Sequence, residues 1–273
     1  MSEARELDCE VVVTRMGMSA IRDRATGELM HPVVGPAIEA ERLYVVPSRL
    51  SARLKESHSE PLVLLDVGLG AGSNALAAWR MSEAMDGRRL EIVSFDRSLS
   101  ALELAAGAEH AAAFGFEGDA GVAARALLDK GRHESARTTW RVIVGELPSV
   151  LSDVTADVVF WDPFSPRANP SLWTAGAFAA LRRVCRENTT VHTYSGATAV
   201  RSAMLLAGFA VGIGPATGDN KFGTAAAVTL SALDQPLDRR WLERLGRSSA
   251  PFPGDAPADA LKRIGLLPQF RGG

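Results

Sequence analysis

Two short stretches of this chain carry residue types and spacings suited to chemistry. In Asp66-Val67-Gly68-Leu69-Gly70-Ala71-Gly72-Ser73-Asn74, an acid closes an apolar run (Leu62 to Leu65), three glycines alternate, and a helix-forming segment (Ala75 to Met85) follows. Strand, tight turn and helix in this order read as a nucleotide-binding crossover. Closely spaced glycines let the backbone approach a ligand where a side chain would clash, and the helix beyond offers free N–H groups. A dinucleotide fingerprint needs its third glycine three residues after the second, at 73, where this chain has Ser73. The second stretch is Phe160-Trp161-Asp162-Pro163-Phe164-Ser165-Pro166, followed by Asn169-Pro170 and Trp173. An acid at a strand end can orient the N–H bonds of an amine and take the proton it releases. Prolines limit the freedom of such a loop, and Phe164 can stack on a planar substrate. The alternative is a surface loop whose acid caps a turn, but two aromatics and three prolines exceed what a turn requires.

The glycine spacing, with the third glycine at Gly72, resembles the first motif of class I S-adenosylmethionine-dependent methyltransferases. That resemblance implies that Asp66, Gly68, Gly70 and Gly72, with Asn74, cradle the methionine part of S-adenosylmethionine. Asp96 ends the next apolar strand, where open α/β sheets place an acid to receive ribose hydroxyls; capping a helix is its other possible task. Glu146 follows a third strand and is favoured for the adenine side over its rival Asp119 in Glu117-Gly118-Asp119-Ala120.

These residues need elements to hold them. From Pro61 onward strands and helices alternate: Leu62–Val67 strand, Asn74–Met85 helix, Leu90–Phe95 strand, Ser98–Ala113 helix, Val122–Leu128 helix, Trp140–Val144 strand and Val158–Trp161 strand. Ala175–Arg186 helix, Thr190–Tyr194 strand, Thr198–Leu206 helix, and closing strands Phe209–Ile213 and Ala225–Leu230 complete the series. Alternation implies a parallel sheet covered on both faces, with ligand chemistry at the carboxyl ends of its strands. The fold class expected is therefore α/β, and the resemblance implies a Rossmann-like methyltransferase domain with a seven-stranded, mostly parallel sheet. Ahead of it, Val11–Val13, Gly17–Ile21 and Leu29–Val34 read as a β-hairpin around a turn at Arg24–Glu28, and Pro36–Leu54 as partly helical. The expected organisation is an extension over 1–60, a methyltransferase domain over 61–233, and a tail over 234–273 with short helices around Trp241 and Leu261.

The second stretch extends the resemblance. Asp162 to Trp173 is similar to the Asp-Gly-Phe-Ala-Pro-x-x-Asn-Pro-x-x-Trp segment of the methyltransferases that complete 5-methylaminomethyl-2-thiouridine at the tRNA wobble position. Asp66 through Asn74 matches that family's glycine motif, and Thr193-Tyr194-Ser195, with Val200-Arg201 and Ala207-Gly208-Phe209, answers a later one. Glu39 lies in Glu39-Ala40-Glu41-Arg42-Leu43-Tyr44-Val45, which looks like a glutamate-containing helix of the family. The resemblance implies an N-methyltransferase acting on an aminomethyl group of tRNA. Asp162 would orient and deprotonate the amine; Pro163, Phe164, Tyr194 and Glu39 would contact the substrate. The chain differs in two places: Pro163 stands for a usual glycine, and Gly218-Asp219-Asn220-Lys221-Phe222-Gly223 replaces a basic stretch. No flavin oxidase domain is expected after the sheet.

Composition bounds the partners. In 273 residues, 47% are hydrophobic, ample for a core, and the formal net charge of −2 excludes a nucleic-acid grip by global charge. Arg182, Arg183, Arg186 and Arg201 are the candidates for a local basic face. The start, Met1 to Glu10, is polar, and no apolar run is long enough to span a bilayer, so the expected location is the cytoplasm with no membrane partner. Cys9 and Cys185 lack metal spacing, and His31 and His58 lack companions, so neither metal nor disulfide is expected. Two other readings stay open: methylation of a small amine by the same residues, and a nucleotide-binding protein without turnover.

Overall fold

The computed structural model describes residues 7–30, 35–151, 154–216 and 222–271. Eleven strands and ten α-helices are seen among them. In chain order they are β1 Cys9–Val13, β2 Ser19–Asp23, β3 Leu29–Met30, α1 Pro36–Ala40, α2 Leu50–Leu54, β4 Leu62–Val67, α3 Ser73–Glu83, β5 Leu90–Asp96, α4 Ser100–Ala106, α5 Ala111–Phe114 and α6 Asp119–Lys130. They continue with β6 Arg132–Glu134, β7 Thr138–Val144, β8 Ala156–Trp161, α7 Ala175–Val184, β9 Cys185–Thr193, α8 Thr198–Leu206, β10 Ala210–Ala216, β11 Phe222–Ala227, α9 Arg239–Leu245 and α10 Ala260–Gly265. Among the described residues, β5, β7 and β6 hydrogen-bond in that order, β8, β9, β11 and β10 in that order, and β1-β2-β3 form a separate antiparallel sheet. The chain divides into two compact units, Met1–Leu62 with Asp66–Gly145, and Val63–Leu65 with Glu146–Gly273.

In the first unit, β5 and β7 pair in parallel with Asp96 opposite Val144. A strand beyond the seven expected, β6, three residues with no apolar pattern, pairs antiparallel on β7. Its short charged sequence gives no periodic signal, which is why it escapes a reading based on hydrophobicity. Gly131, at φ +67°, ends α6 and turns the chain into it. The single helix expected over Ser98–Ala113 is two, α4 and α5, because Gly107 leaves the helix in an extended conformation. The expected hairpin is a three-stranded meander, with Val11 opposite Ile21 and Ile21 opposite Met30. Its turn is held by Asp23, whose carboxylate accepts from the Thr26 N–H at 2.7 Å and the Thr26 hydroxyl at 2.8 Å. The remainder of the expected strand, residues 31 to 34 with His31, lies outside the described residues. A π-helical turn, Glu41–Val45, continues α1.

In the second unit, β8 and β9 pair in parallel and β11 runs antiparallel to both β9 and β10. All six residues of β8 are buried, so Ala156 to Trp161 form a core strand that delivers Asp162 at its end. The helix expected to reach Arg186 stops at Val184: Cys185 is already extended and opens a nine-residue strand. Arg186 is therefore a strand residue. The tail seats itself by side chains. Asp238 caps α9 through the Trp241 N–H, and Asp255 accepts from the first N–H groups of α7, Ala175 at 2.9 Å and Gly176 at 2.8 Å. The Gln269 amide accepts from the Val211 N–H at 2.9 Å and donates to the Val211 and Leu237 carbonyls at 2.6 and 2.9 Å.

Candidate functional site

The glycine turn follows β4 because its three glycines adopt conformations that other residues resist. Gly68, Gly70 and Gly72 have φ of +88°, +51° and +82°. At Gly70 space is also short, since a Cβ there would fall 3.0 Å from the Met30 Sδ. The turn is fastened to the end of β5: the Gly68 and Leu69 N–H groups donate to the Phe95 carbonyl at 3.0 and 3.1 Å, and the Gly70 N–H donates to an Asp96 oxygen at 2.9 Å. Gly72 then opens α3, whose second residue, Asn74, is buried. Thin backbone beside a helix start is a cradle for a ligand's polar arm.

Asp66 is the second-last residue of β4, immediately before this turn. Only 1% exposed, it accepts from the Ser94 hydroxyl at 2.8 Å, and the Trp140 indole N–H donates to that same hydroxyl at 3.0 Å. The three side chains tie β4, β5 and β7 together just under the glycines. Ser94 and Trp140 carry no motif, and only the parallel register of these strands shows their part. Asp96 gathers N–H donors from Gly70, from Arg97 at 2.7 Å and from Ser98 at 3.4 Å. Burial nonetheless outweighs these bonds and holds its carboxyl above the usual range. Glu146 follows Gly145, whose N–H donates to the Asp96 carbonyl at 2.9 Å, while Asp119 is the exposed first residue of α6. Glu39 is 8% exposed on α1.

In the second unit, Asp162 leaves the buried β8 half-exposed, with Pro163 buried and Phe164 half-exposed after it. Two aromatic side chains hold this loop by its backbone. Tyr194, just beyond β9, donates its hydroxyl to the Pro163 carbonyl at 3.0 Å, and the Trp173 indole N–H donates to the Phe164 carbonyl at 2.8 Å. Trp173 and Tyr194 meet edge to face at 5.8 Å, and Trp173 rests on Phe178, which also packs on Trp161. Tyr194 is thus bonded to the loop itself, a role its strand-end position alone does not reveal.

The arginines expected as a basic face are mostly engaged inside the unit. Arg186 pairs with Asp157 at 2.6 Å, and Arg182 stacks over the Phe209 ring at 5.8 Å. Arg201 donates to the Thr224 hydroxyl and the Gly223 carbonyl at 3.0 and 2.8 Å, and burial draws its pKa down. Arg183, exposed on α7, is the one of the four without such an engagement. The stretch Gly218 to Lys221 lies outside the described residues. His58 is exposed, and burial raises the thiols of Cys9 and Cys185 to about 11 and about 12. Among the described residues no cluster of His, Cys, Asp and Glu is placed to hold a metal, and no helix is long and apolar enough to cross a membrane.

The three positive-φ glycines, the helix start at Gly72 and the donor-ringed Asp96 at the end of β5 fit an S-adenosylmethionine molecule. Bound there, it supplies an electrophilic methyl group on a sulfonium. Comparison with known proteins agrees. The S-adenosyl-L-methionine-dependent methyltransferase family matches residues 124–229. The tRNA 5-methylaminomethyl-2-thiouridine biosynthesis bifunctional protein MnmC of Ralstonia nicotianae is 30% identical over 82% of this chain, and that of Burkholderia vietnamiensis is 30% identical over 70%. The chain spans about a third of the length of these relatives, 34% and 32% respectively. The crystal structure of MNMC2 from Aquifex aeolicus superposes with a TM-score of 0.72 at 25% identity, covering 96% of this chain and 87% of that one. Spermidine synthase from Thermotoga maritima shares the fold at a TM-score of 0.54 and 13% identity, covering 97% of this chain and 87% of its own. The chain belongs to the S-adenosyl-L-methionine-dependent methyltransferases, with the MnmC proteins among its relatives.

Proposed function

We propose that this enzyme methylates the nitrogen of a 5-aminomethyl group on wobble 2-thiouridine in tRNA. The observation that carries the reading is Asp162, delivered at the end of a fully buried strand into a loop whose next residues are the rigid Pro163 and the aromatic Phe164. Methyl transfer to nitrogen needs a lone pair aimed at the methyl carbon, so the amine must be neutral and its N–H bonds directed elsewhere. The Asp162 carboxylate accepts an N–H and then the proton released, and Phe164 offers a face to the base. Asp66, Gly68, Gly70, Gly72 and Asn74 hold the methionine part of the cofactor. Asp96 accepts from the ribose hydroxyls, Glu146 serves the adenine side, and Pro163, Tyr194 and Glu39 shape the acceptor pocket. The extension over 1–60, domain over 61–233 and tail over 234–273 remain our division of labour along the chain, and the cytoplasm, where tRNA is modified, its place of action.

One observation favours a second reading, a small amine as acceptor: Arg182, Arg186 and Arg201 are each engaged by partners within the protein. Labelled methyl transfer into tRNA from cells lacking the modification, with nucleoside analysis of the product, separates the two. Label in the methylaminomethyl nucleoside establishes the first reading, and its absence under conditions where a free amine is methylated establishes the second. Salt sharpens the result. An acceptor held by about six phosphates should lose roughly 10³-fold in affinity between 50 and 200 mM salt, whereas a small amine barely responds.

A further inference from the structure

We propose that Trp173 and Tyr194 are positioning residues: a two-point clamp that fixes the backbone of Phe164, and with it the acceptor platform beside Asp162. The inference rests on the reading of Asp162 and Phe164 as the acceptor site. Phe164 sits between two peptide planes. The carbonyl of the plane before it, that of Pro163, accepts from the Tyr194 hydroxyl at 3.0 Å; the carbonyl of the plane after it, its own, accepts from the Trp173 indole at 2.8 Å. The pyrrolidine ring already locks φ at Pro163. With both neighbouring planes held, the two backbone dihedrals of Phe164 are set, and they fix the direction in which its side chain leaves the backbone.

The clamp is itself rigid. Trp173 is 3% exposed, lies edge to face with Tyr194 at an interplanar angle of 82°, and is backed by Phe178, which is fully buried. Its two halves come from different elements, the end of β9 and the 3-10 turn Pro170–Trp173, so the loop is gripped from two directions. Anchors of this kind matter for rate because a displacement of about 1 Å at a reacting group can cost on the order of 10²-fold. The loop can then be short and proline-rich, with its placement supplied by side chains from outside it.

Tyr194→Phe removes one hydroxyl and keeps the ring, and Trp173→Phe removes the indole donor. For Tyr194→Phe the expected result is a kcat about tenfold lower with tRNA carrying the unmethylated aminomethyl group. Melting temperature and calorimetric affinity for S-adenosylmethionine should stay at parental values. The Tyr194→Phe/Trp173→Phe pair should lose less than the product of the single losses, since both donors fix one residue. A Tyr194→Phe enzyme within twofold of parental kcat, or one whose cofactor affinity falls in step with its rate, overturns the clamp. Backbone NMR order parameters read without any acceptor keep the inference separable from the substrate reading. Lower order parameters at Phe164 and Ser165 in Tyr194→Phe, with β4 and β5 unchanged, support the clamp even if tRNA is not methylated. Unchanged order parameters there overturn it even if tRNA is.

Discussion

The glycine turn of the first unit and the Asp162 loop of the second are both strand-end sites, and they are built by opposite means. The turn is shaped by what is missing: three residues without Cβ take positive φ, and backbone N–H groups bond the carbonyl of Phe95 and the carboxylate of Asp96. The loop is shaped by what is added, since prolines stiffen it and two aromatic side chains hold its carbonyls. A cofactor used in every turnover suits a site made of invariable backbone geometry. An acceptor site made of side chains can be altered one residue at a time without touching the cofactor.

That contrast makes testable claims. The largest effect should come from Asp162→Ala, which is expected to lower turnover by about 10²- to 10⁴-fold while changing S-adenosylmethionine affinity much less. Steady-state rates and calorimetry on the same preparation check it. A parallel loss of cofactor affinity would merge the two sites and end the comparison.

Asp96 comes next and tests the other side. Asp96→Asn should weaken S-adenosylmethionine by about 10- to 100-fold, the worth of ~1.5–3 kcal/mol for hydrogen bonds to a charged group. Its pH dependence has a definite sign. Burial raises the native pKa above the ordinary 3.8, so a protonated carboxyl cannot accept from both hydroxyls until pH passes the raised value, and cofactor affinity climbs through that window. Over the same window the unliganded native state binds more proton than the unfolded chain, so its stability falls as pH rises. Titrations and melts across pH should show these opposite slopes, and Asp96→Asn should flatten both.

The smallest effect belongs to Arg186. Its partner Asp157 is buried and also accepts from the Val63 N–H at 2.8 Å, while the Arg186 side chain is 42% exposed, so Arg186→Ala should cost about 1–2 kcal/mol, well below a fully buried pair. The melting temperature should drop by roughly 2–8 °C, and the salt dependence of acceptor binding should not change. A flattened salt response would return Arg186 to the acceptor's phosphates.

How much of this was legible in the sequence follows the same contrast. The turn could be read because alternate glycines after an apolar strand report their backbone directly, and β4, β5, β8 and α8 carry strong hydrophobic patterns. Asp162 could be read for the same reason. The clamp could not: that Tyr194 bonds residue 163 and Trp173 bonds residue 164 depends on β8 lying beside β9, which spacing does not encode. Nor could the Asp66, Ser94 and Trp140 chain, since a buried serine looks like any other in a strand. The helix overshoot to Arg186 had a further cost. It put into one helix three arginines that the structure divides between α7 and β9.

Gln269 has a wider consequence for the protein's behaviour in solution. Strand β10 is the outermost of its sheet, and an outermost strand presents unpaired N–H and C=O groups on which a foreign strand can grow. By offering its amide to both polar groups of Val211, Gln269 imitates a neighbouring strand with a single side chain, while Pro236, bridged to Gly212, puts a residue that lacks an N–H along the same border. The tail therefore covers, through Gln269 and the backbone of Gln235 and Leu237, an edge of the kind on which a foreign strand can pair.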